Sequence, residues 1–103
     1  MAARSPQLYH QPSREAAEEI FAYIAVRNAL LDEALRFPTE ASLRSLEIAN
    51  ETVAATVRPA REPYTAQSLD GPAAAYERSQ CEAISRQIEE LRARLNFQAQ
   101  RAA

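Results

Sequence analysis

Few side chains in this sequence have the type and spacing that chemistry needs. His10 is the single histidine and Cys81 the single cysteine. His10 falls in a stretch without helical period, with no nucleophile or carboxylate nearby in sequence to orient a proton transfer, so it reads as an exposed polar residue. Cys81 lies on an apolar line, Cys81-Ile84-Ile88-Leu91-Leu95, that repeats at three-four spacing. A small buried thiol is the ordinary occupant of such a place, whereas a reactive thiolate needs an accessible, electropositive setting. Glu15, Glu18 and Glu19 resemble half of a carboxylate di-metal helix, but such a centre also needs Glu-x-x-His pairs. They read instead as first-turn glutamates in the field of the helix dipole. A single glycine leaves no room for a glycine-rich phosphate loop. No catalytic, cofactor-binding or metal-ligating residue is expected, and no small-molecule substrate.

All 12 basic residues are arginine. A GC-rich codon bias accounts for that more simply than selection of the guanidinium fork for carboxylate or phosphate contacts. With a net charge of −2 the chain has no general attraction to nucleic acid or an anionic membrane. The helix turn around Pro38 has the outline of a helix-turn-helix, and Arg92, Arg94 and Arg101 gather near the C-terminus. The second helix nevertheless opens on Glu40, where a recognition helix places base-reading residues. Glu89 and Glu90 dilute the arginines, so the basic footprint of a nucleic-acid binder is missing.

The informative polar residues interrupt apolar faces. Arg27 and Asn28 break the most apolar run of the chain, and Asn50 sits in the middle of an apolar seam. Arg27 either snorkels to the edge of a bundle or pairs with Glu47 or Glu51 across a hairpin, fixing its register together with Asn50. Both readings concern assembly of the fold.

The elements that position these residues are helical: Ala, Glu, Arg, Leu and Gln abound and no β-branched alternation occurs. With 47% apolar residues the chain is not a disordered polar polymer. Its 103 residues form one domain. Residues 1–12 read as an extended arm that Leu8 and Tyr9 anchor. Residues 13–37 form the first helix, opened by Pro12 and Ser13 and ended by Pro38. On a helical wheel Ala17, Ile20, Ile24, Leu31 and Leu35 fall on one line, and Tyr23, Val26, Leu30 and Phe37 flank it. So wide a stripe suits a central helix touched from two sides. Residues 39–57 form the second helix, capped by Thr39, with Leu43, Leu46, Asn50, Val53 and Val57 as a narrow coiled-coil seam. The short turn forces an antiparallel hairpin that sets Arg27 opposite Ile48 and Asn50 near Ile24. Residues 58–71 make a Pro-rich linker. Residues 72–100 form a longer third helix, braced by Glu82–Arg86 and Glu90–Arg94 pairs in the favourable order.

The fold class predicted is therefore all-α: an antiparallel helical hairpin, a longer third helix and an extended N-terminal arm. The shorter hairpin should leave part of the third helix uncovered, so Ile84, Ile88, Leu91 and Leu95 are candidate partner-binding residues. Ile48, on the far side of the second helix with Ala41 and Ala55, is another. The function these features imply is a non-enzymatic helical subunit, self-associating or built into a larger protein complex. In general character it is similar to small helical proteins of phage particles and secretion machines, with no motif behind the likeness. The rival readings are a small regulator that binds and inhibits one protein and a small nucleic-acid binder. No leader or membrane span is evident, which places the expected site of action in the cytoplasm or in a particle assembled there.

Overall fold

The computed structural model describes residues 13–57 and 72–102. They form three α-helices: α1 (Arg14–Arg36), α2 (Glu40–Val57) and α3 (Pro72–Ala102). The expected ends agree to within two residues, and α3 is the longest, as its pattern predicts. The arm at 1–12, with Leu8, Tyr9 and His10, and the linker at 58–71 lie outside the described residues.

Local chemistry sets the helix ends. Ser13 caps α1, its hydroxyl accepting the Ala16 N–H at 3.2 Å. Thr39 and Ser42 cap α2 reciprocally: Thr39 Oγ1 accepts the Ser42 N–H at 3.0 Å and Ser42 Oγ accepts the Thr39 N–H at 2.9 Å. That arrangement is a capping box with serine at the inner position. At the far end of α2, Arg78 of α3 donates to the Val57 carbonyl at 2.7 Å, satisfying an orphan acceptor at the negative end of the dipole.

α2, and not α1, is the middle element. It packs along both neighbours, whereas α1 and α3 approach each other at few points. The seam of α2 is buried throughout, at Leu43, Leu46, Asn50, Val53 and Val57. The wide stripe of α1 is only partly used: Ile20 and Ala34 are buried, Ile24, Leu30 and Leu31 are half-buried, and Val26 and Leu35 are exposed. A broad apolar arc shows how much of a helix avoids water, but not which neighbour covers it.

α3 runs antiparallel to α2, since Arg92 pairs with Glu40 at one end and Arg78 with Val57 at the other. Two apolar clusters result. One joins Ala34, Leu43, Leu46, Ile84 and Ile88, with Leu30, Leu31, Leu91 and Leu95 packed on it. The other joins Val53, Val57, Ala74 and Cys81, with Tyr23, Ile24 and Ala54 around it.

Candidate functional site

A polar group lies at the centre of the bundle. Arg27 is 2% exposed. Its Nη2 donates to Glu77 Oε2 at 3.0 Å and to Asn28 Oδ1 at 2.9 Å, and Nη1 lies 3.6 Å from Cys81 Sγ. Asn50 reaches the same place from α2, its amide donating to the Cys81 carbonyl at 3.0 Å and to Ser85 Oγ at 3.2 Å. Asn50 Oδ1 is buried without a partner. Burial pushes the Cys81 thiol up, against the opposing pull of Arg27. A thiol in that state is a packing group and a poor nucleophile.

Arg27 and Asn50 are both buried, and the carboxylate beside Arg27 is not one of the two expected. Arg27 meets neither Glu47 nor Glu51. Glu47 faces α3 and binds Arg92 at 3.3 Å and Arg44 at 2.9 Å, while Glu51 is exposed. The register explains the correction. Arg27 and Asn50 converge on Cys81, whereas Ile48, the expected opposite of Arg27, points outward and is 51% exposed. The missed partner, Glu77, left a signal in the sequence: it lies one helical turn before Cys81, where the α3 seam continues to Ala74.

The partner-binding seam is corrected too. Ile84 and Ile88 are 2% and 3% exposed, and Leu91 and Leu95 pack half-buried on the same cluster. α3 does project past the Pro38 turn, but only its last residues, 96–102, are exposed throughout. They carry Phe97, with the Arg101 guanidinium 5.9 Å from its ring centroid. Arg92, one of the three arginines near that end, is engaged by Glu40 at 3.1 Å and by Glu47.

A shallow groove of about 230 Å³ between α2 and α3 is lined by Glu47, Asn50, Glu51, Ser85 and Glu89 among others. Hydrogen bonds from Arg92 and then Arg44 hold the Glu47 carboxyl below its usual range. Among the described residues no group of three or more His, Cys, Asp or Glu is placed to hold a metal ion.

The outer surface is less ordinary. Phe21, Val26, Leu35, Phe37, Ile48, Tyr76 and Phe97 are each more than half exposed. Phe21 and Val26 stand beside exposed Ala22, Ala25 and Ala29, so the middle of α1 shows solvent an apolar face. Its one cationic side chain there, Arg27, is turned inward. The chain matches no protein-family model, no curated protein and no solved structure. Among the described residues no helix is long and apolar enough to cross a membrane.

Proposed function

We infer that the chain is a non-enzymatic helical subunit that works by docking against protein, self-associating or as part of a larger assembly such as a particle or a secretion machine. The observation that supports this is the inverted polarity of the middle of α1: Arg27 is buried, while Phe21, Ala22, Ala25, Val26 and Ala29 are exposed. An exposed apolar patch on a helix is commonly a surface for protein contact. Ile48, among the residues expected to bind a partner, offers a second exposed apolar point. The test uses the full chain with a photoreactive phenylalanine analogue at position 21, 48 or 97, expressed in its native cell and illuminated. Covalent adducts to protein at one or more of these positions, and none at the charged surface position Arg94, are the expected result. Equal labelling at all four positions, or none, overturns the reading. A single stoichiometric target that loses activity on binding would instead identify a regulator.

A further inference from the structure

We draw no further inference here: the strongest candidate, the groove between α2 and α3 walled by Glu47, Glu51 and Glu89, is a cluster of acidic residues with no second mark of a ligand, since Asn50 Oδ1, the unpartnered buried atom beside it, is sealed from any molecule the groove could hold.

Discussion

At the scale of single residues, the Arg27–Glu77 pair decides how the bundle closes. Two charges taken out of water cost several kcal/mol each, and their attraction repays this only with good geometry. Here Asn28 accepts a second guanidinium hydrogen bond, so the arginine is well satisfied. Truncating one partner strands the other. Arg27→Ala should therefore destabilise the fold by about 3–5 kcal/mol, measured by urea denaturation. Replacing both partners, Arg27→Met with Glu77→Met, should recover most of that loss, because an apolar pair of similar volume needs no compensation. A double variant as unstable as Arg27→Ala would mean that packing around Asn28 and Cys81 dominates over charge. That Arg27 and Asn50 matter is legible in the sequence, since each interrupts an apolar line. Which acid Arg27 meets is not, because Glu77 stands on α3, and no local signal says how that helix packs on the hairpin.

At the scale of elements, α2 is held at both ends by arginines from α3: Arg92 on Glu40 and Glu47, Arg78 on the Val57 carbonyl. The Arg92 clasp is pH-dependent, and its sign follows from Glu47. A carboxyl whose folded pKa is lowered adds stability above its unfolded pKa and loses it as pH falls through the folded one. Thermal melts of wild type and Glu47→Gln should thus differ most near neutral pH and converge in acid, below the ordinary glutamate range. A gap that persists in acid would assign Glu47 a packing role. Helix number, length and capping were readable, because Pro38, Thr39 and the three-four seams are local signals. The order of packing was not. The wide stripe of α1 suggested the central helix, yet the narrow seam of α2 lies between the other two. Periodicity measures the apolar arc of a helix, and here part of the arc of α1 faces water.

At the scale of the whole molecule, the same argument separates core from surface on α3. Its seam looked long enough to outrun the hairpin, but the bundle covers Ile84 and Ile88 and half-covers Leu91 and Leu95. Full burial of such a side chain is worth about 1.5–3 kcal/mol, so two half-buried leucines together contribute about that much. Domains of this kind have about 5–15 kcal/mol in all, which makes the loss a sizeable share. Leu91→Glu with Leu95→Glu also sets two carboxylates against the cluster of Ala34, Leu43 and Leu46, adding a desolvation cost. The double variant should unfold at a distinctly lower urea midpoint with an unchanged slope, because the same surface is exposed on unfolding. Ala25→Glu, at an exposed position of α1, should leave the midpoint where it was. If the two leucine substitutions instead spare the midpoint and only abolish association, α3 carries the interface, and the apolar face of α1 is incidental exposure.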